Sequence, residues 1–83
     1  MNRDEVLELI RKHLADELDV ELDLITERTS FRDDLDADSL DLYTLVQELE
    51  DSYGVIIGDQ EAAQIATVGE AADFVVSALG ARS

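Results

Sequence analysis

The side chains best able to do chemistry in this sequence cluster in Asp33-Asp34-Leu35-Asp36-Ala37-Asp38-Ser39-Leu40-Asp41. A single hydroxyl sits there among carboxylates. A hydrolase would need a base to activate Ser39, and His13 is the sole histidine. It stands beside Arg11 and Lys12 on the charged side of an amphipathic stretch, and no third residue is placed to orient it. The triplet around Ser39 also lacks the glycines that flank a nucleophile elbow. A calcium loop could open at Asp34-x-Asp36-x-Asp38, but its sixth position would be Ser39 instead of Gly and its twelfth Leu45 instead of Glu. No catalytic residue and no dedicated metal site is therefore expected, only loose divalent binding to the acidic clusters.

A helix must present that hydroxyl. Asp38 is a good N-cap with Asp41 three residues on, and Leu42, Leu45, Val46, Leu49 and Tyr53 then recur on one face up to Gly54. The spacing predicts a helix starting at Ser39. Before it, Asn2 and Glu5 open a first helix whose stripe is Val6, Ile10, Leu14 and Leu18, with Leu7 alongside, ending near Asp19. After it, a short third helix is expected over Asp59 to Gln64. Thr67 and Glu70 open a fourth, with Val68, Ala71, Ala72, Val75 and Leu79 inward and Gly80 as its stop. In residues 19 to 37, Val20, Leu22 and Leu24 alternate with acids in a strand-like period. The only partner would be Val55-Ile56-Ile57, and an isolated two-stranded pairing is marginal in water. That region is thus expected to be a long, partly ordered loop anchored by Leu22, Ile25 and Phe31. The fold class is all-α: a small four-helix bundle with a long loop between helices one and two and a short third helix.

At 83 residues the chain is expected to form a single domain over 1–83, with one thin core and no deep internal active site. It has no cysteine, so neither a disulfide nor a thiolate metal site can staple it. Formal charge is −15, and from Asp33 to Ala81 there are twelve acids and no lysine or arginine. Such a surface repels nucleic acid and anionic lipid and attracts basic partners. No apolar run approaches the roughly 20 residues a membrane span needs, and the charged N-terminus is unlike a signal peptide. Cytoplasmic residence, without membrane insertion, is the expectation.

The sequence closely resembles the acyl carrier protein family. The resemblance rests on Asp38-Ser39-Leu40 at a helix start and on Asp34-Leu35 just before it. It extends to Thr29-Ser30-Phe31, to Leu49-Glu50-Asp51 with Tyr53, and to Ile65-Ala66-Thr67-Val68-Gly69. It most resembles the discrete carriers of fatty acid synthesis, through its acidity and the Ser39-Leu40-Asp41 continuation. Carriers of polyketide or other secondary-metabolite synthesis are the alternative, ahead of a non-carrier acidic interaction module.

The resemblance implies that Ser39 carries 4′-phosphopantetheine, transferred from coenzyme A, and that growing acyl chains ride on its thiol as thioesters. A phosphodiester there would face the free N–H groups and dipole of a helix N-terminus. The same resemblance implies partners with basic surfaces: a phosphopantetheinyl transferase, a ketosynthase, an acyltransferase and other synthase enzymes, served by a monomer without catalysis of its own. Partner recognition would fall to Asp36, Asp38, Leu40, Asp41, Glu48, Glu50 and Asp51. Shelter for the acyl chain would fall to Phe31, Val46, Leu49, Ile57, Ile65 and Ala71. The sequence departs from the commonest bacterial pattern at Asp36 (often Gly) and at Thr44 and Gln47 (often Glu and Met), on the face the family presents to its enzymes, which bears on which synthase it serves; Gly58 also stands where the family has Pro.

Overall fold

The computed structural model, which describes residues 2–81, has a helix at each of the four expected stretches, and three of them open on a side-chain cap and carry an apolar stripe. Helix α1 spans Arg3–Leu18, α2 Ser39–Tyr53, α3 Asp59–Gln64 and α4 Val68–Ala81. Asn2 caps α1 by accepting the Glu5 N–H at 2.9 Å, and Asp19 ends it in the left-handed region at φ 55°. Thr67 Oγ1 accepts the Glu70 N–H at 3.2 Å at the start of α4. That last helix runs through Gly80 to Ala81, so Gly80 is not its stop.

The core is aliphatic around one ring. Val6, Ile10 and Leu14 of α1 meet Val68, Ala71, Ala72 and Val75 of α4, and Leu45 and Leu49 of α2 close the third side. Phe31 and Ile25 enter from the long loop, both essentially inaccessible to solvent. Val55 and Ile57 are buried while Ile56 between them is 87% exposed, an extended alternation that pairs with no strand. Among the described residues the one β-type pairing is an isolated bridge between Ser30 and Thr67.

The loop between α1 and α2 is better organised than its sequence implies. It contains a 3-10 turn over Leu22–Leu24, and Leu22 is only half-buried, outside the core. The anchor in its place is Arg11, whose guanidinium donates to the Ile25 carbonyl at 2.6 Å and the Leu22 carbonyl at 2.9 Å while pairing with Glu8 at 3.0 Å. The far half is laced to the beginning of α4. Phe31 N–H bonds Ala66 O at 3.0 Å, Val68 N–H bonds Thr29 O at 3.0 Å, and Gly69 N–H bonds Glu27 O at 2.8 Å. A Cβ on Gly69 would stand 2.8 Å from that same Glu27 oxygen, so only glycine permits this approach. Arg3 adds an ion-pair clamp between Glu27 in the loop and Asp73 on α4. These two carboxylates, Asp73 foremost, hold the guanidinium further toward its protonated form.

Candidate functional site

The hydroxyl of Ser39 is positioned from both sides of the chain. Downstream, Asp38 Oδ1 accepts the Asp41 N–H at 2.9 Å and Asp41 Oδ2 accepts the Asp38 N–H at 3.2 Å, a reciprocal capping box that makes Ser39 the first residue of α2. Upstream, Asp34 Oδ2 accepts the Ser30 N–H at 2.7 Å and Ser30 Oγ accepts the Asp33 N–H at 3.1 Å, which closes a turn. Ala37 N–H then bonds Phe31 O at 2.8 Å and its methyl is buried, so the chain is tied to the core two residues before the serine. Asp36 sits in the left-handed region at φ 53° to make this possible. Its departure from the family's usual glycine thus falls on a backbone position that glycine takes freely and aspartate tolerates.

Ser39 itself is exposed, and its hydroxyl makes no hydrogen bond to any described residue. The N–H groups of Ser39 and Leu40, in the first turn of α2, likewise have no acceptor among the described residues. A phosphodiester on Ser39 Oγ would meet free donors and the positive end of the helix dipole, so these residues fit a phosphopantetheine arm.

Ser39 stands on the rim of a cleft of about 360 Å³ between α2 and α3. Its walls are Leu42, Tyr43, Val46, Gln47, Glu50, Ile57, Asp59, Ala62 and Ala63, with Arg32 reaching in from the loop. Beneath it, Phe31, Leu42, Leu45, Val46, Leu49, Ala62, Ile65 and Ala71 surround an internal space of about 10 Å³. That is barely room for one water, which needs about 10–15 Å³. Five of the six residues expected to shelter a chain therefore meet at one point: Phe31, Val46, Leu49, Ile65 and Ala71. Ile57 lies on the cleft above instead. Leu42, Leu45 and Ala62 also line this space. The two leucines stand on the same stripe as Val46 and Leu49, a signal the sequence carried.

The residues expected to face partners divide by exposure. Leu40 is 68% exposed, and Asp36, Asp38 and Asp51 are exposed. Asp51 follows Leu40 by eleven residues, about three turns, so they share a face. Asp41 is half-buried and engaged in the capping box. Glu50 Oε2 accepts the Ile57 N–H at 2.9 Å, which holds the segment after α2 against the helix. Glu48 comes nine residues after Ser39, about two and a half turns, and so lies on the opposite side. It lines a separate groove between α1 and α2 with Glu5, Glu8, His13 and Tyr53. Burial pushes the Tyr53 hydroxyl pKa up, and Glu5 and Glu48 push it the same way. His13 lines that groove and not the cleft beside Ser39. No cluster of three or more ligating side chains suited to a metal exists among the described residues.

The model of the phosphopantetheine attachment site family matches residues 8–75. An acyl carrier protein from Rubrobacter xylanophilus is 50% identical over 76 residues, covering 92% of this chain and 94% of its own. One from Lactobacillus acidophilus is 44% identical over 80 residues, covering 96% and 100%. Among solved structures, that of the acyl carrier protein from Enterococcus faecalis superposes with a TM-score of 0.81 at 42% identity, covering 94% of this chain and 99% of that one. The acyl carrier protein from Thermotoga maritima superposes with a TM-score of 0.84 at 25% identity, covering 100% and 96%.

Proposed function

Given that this chain belongs to the acyl carrier protein family, we propose that it holds its phosphopantetheine arm on Ser39 and serves the enzymes of fatty acid synthesis as a free-standing cytoplasmic carrier. It is a carrier and not a catalyst, and the arm, when present, supplies a thiol on which acyl groups are held as thioesters. The observation that carries the assignment is the exposed, unbonded Ser39 hydroxyl at the first position of a capped helix, beside a cleft.

The chain's own residues have three tasks in that role. Asp38 and Asp41 fix the start of α2, so the hydroxyl projects outward and can approach phosphorus in a transferase site. Attachment forms one bond from Ser39 Oγ to phosphorus and breaks the pyrophosphate bond of coenzyme A. The serine proton is lost and 3′,5′-bisphosphoadenosine leaves. With an arm bound, the free N–H groups of Ser39 and Leu40 would offset part of the repulsion that Asp36, Asp38 and Asp41 exert on its phosphodiester. Leu40, exposed beside these acids, offers a partner an apolar contact inside a ring of negative charge. That combination suits a basic enzyme surface with an apolar recess, where hot spots are buried and rim charges steer. No helix among the described residues is long and apolar enough to cross a membrane.

Intact mass after incubation with coenzyme A, magnesium and a phosphopantetheinyl transferase tests the assignment. The wild-type protein gains one phosphopantetheine and Ser39→Ala gains none. A folded, unmodified wild-type protein that gains nothing, or a Ser39→Ala that still gains the arm, overturns it.

A further inference from the structure

The cleft beside Ser39 is more polar than a shelter for a hydrocarbon requires. Arg32 is the one cationic side chain on its wall, and it forms no ion pair or side-chain hydrogen bond with any described residue. Lining the same cleft, the Gln47 amide donates to the Tyr43 hydroxyl at 3.0 Å. The tyrosine oxygen is thus the acceptor in that pair, and its own proton has no acceptor among the described residues. Two kinds of unused donor therefore line one space of about 360 Å³, within the range of small-molecule sites, about 300–1,000 Å³. The apolar space beneath, about 10 Å³, takes no chain until core side chains move.

We propose that this cleft holds the acyl group when it carries oxygen near the thioester, as a 3-oxo or 3-hydroxy chain does, with Arg32 and Tyr43 donating to those oxygens. The inference rests on Ser39 as the point of attachment. The arm's phosphate is the other source of acceptor oxygens, and the charge of the cleft disfavours it. Glu50 and Asp59 share the wall with Arg32, leaving two carboxylates against one guanidinium. A neutral carbonyl or hydroxyl accepts a hydrogen bond there without the repulsion an anion meets. The phosphate would also have the first-turn N–H groups of α2 to accept from.

The test compares four forms of the protein, each verified by intact mass: apo, arm alone, and arm bearing octanoyl or 3-oxooctanoyl through a stable amide in place of the thioester. Melting temperature and the Arg32 side-chain N–H resonance are read for each. The 3-oxo form should melt above the octanoyl form by on the order of 5 °C, the size expected for one or two added hydrogen bonds in a domain this small. The Arg32 resonance should shift only in the 3-oxo form. In Arg32→Met, which keeps the length of the side chain, the gap should fall below about 2 °C, and Tyr43→Phe should narrow it. Because Arg32 is exposed and unpartnered, apo Arg32→Met should melt within about 2 °C of wild type, which separates loss of contact from loss of fold. An octanoyl form that melts as high as the 3-oxo form overturns the proposal. So does an Arg32 resonance that shifts on attachment of the bare arm and no further, which would identify the phosphate as its partner. A protein that takes up no arm overturns the assignment of Ser39 as well, an outcome the mass alone distinguishes.

Discussion

Around Ser39, individual side chains do backbone work before any partner arrives. Asp36 holds a left-handed turn at φ 53°, where most L residues cost about 1–2 kcal/mol. Asp36→Gly should therefore fold at least as stably as wild type, and Asp36→Val should lose about 1–2 kcal/mol in denaturant unfolding. Asp38 caps α2, and Asp38→Ala should lose about 1 kcal/mol while Asp38→Asn keeps most of it. If Asp38→Asn also slows arm attachment at unchanged stability, its charge has a second use at the transferase surface. Tyr53 carries a pH signature. Its folded-state pKa is raised, so the fold favours the protonated phenol, and that contribution is present below the ordinary tyrosine value and lost as pH rises through the folded one. Above pH ~10 the wild type should lose stability more steeply than Tyr53→Phe, as followed by thermal melts across pH 9 to 12.

Among the elements, the joint between the long loop and α4 depends on one missing methyl group. Gly69→Ala would gain some helix propensity, at most about 1 kcal/mol in a helix interior and less in this first turn. Against that, its Cβ would press a backbone oxygen at 2.8 Å, and overpacking of this kind costs about 1–3 kcal/mol. The clash should win, with a net loss of about 1–2 kcal/mol measurable by urea titration. The helices were legible in the sequence because their ends are local. Asp38 and Asp41, Gly54, and Thr67 with Glu70 each act within four residues. The loop and its anchors Ile25 and Phe31 were legible too, but its order was not, because what supplies it is remote: Arg11 reaches carbonyls eleven and fourteen residues away, and Glu27 meets Gly69 across the molecule. The alternation of Val20, Leu22 and Leu24 pointed toward strand when the chain was making a 3-10 turn. Gly80 shows the limit of a compositional stop signal, since the helix continues through it. In the site, Ser39 and its cap were readable from the motif, whereas the roles of Ala37 as a plug and Glu50 as an acceptor required the folded chain.

For the molecule as a whole, charge is distributed as unevenly in space as in sequence. Both paired cations, Arg3 and Arg11, belong to α1, so the acids of α2 and α3 have no basic side chain bound to them among the described residues. Self-repulsion should destabilise the fold at low ionic strength and ease as the Debye length shrinks from about 30 Å at 0.01 M to about 8 Å at 0.15 M. Melting temperature should rise with sodium chloride over that range, and rise further with magnesium or calcium at matched ionic strength. Equal effects of the two cation types would show that screening alone is at work.

The hydrogen bonds and ion pairs that fasten the loop run to α1, to α4 and to Ala66 just before α4, and the six residues of α3 receive none of them. Helix α3 has no buried residue and no side-chain cap at Gly58. Amide protons should therefore exchange with solvent in a set order, first from α3 and last from α1 and α4 where they pack together. The wall of the cleft that opens most readily is then the one farthest from what holds the bundle together. Room for cargo would come from the displacement of one short helix over an otherwise unmoved frame.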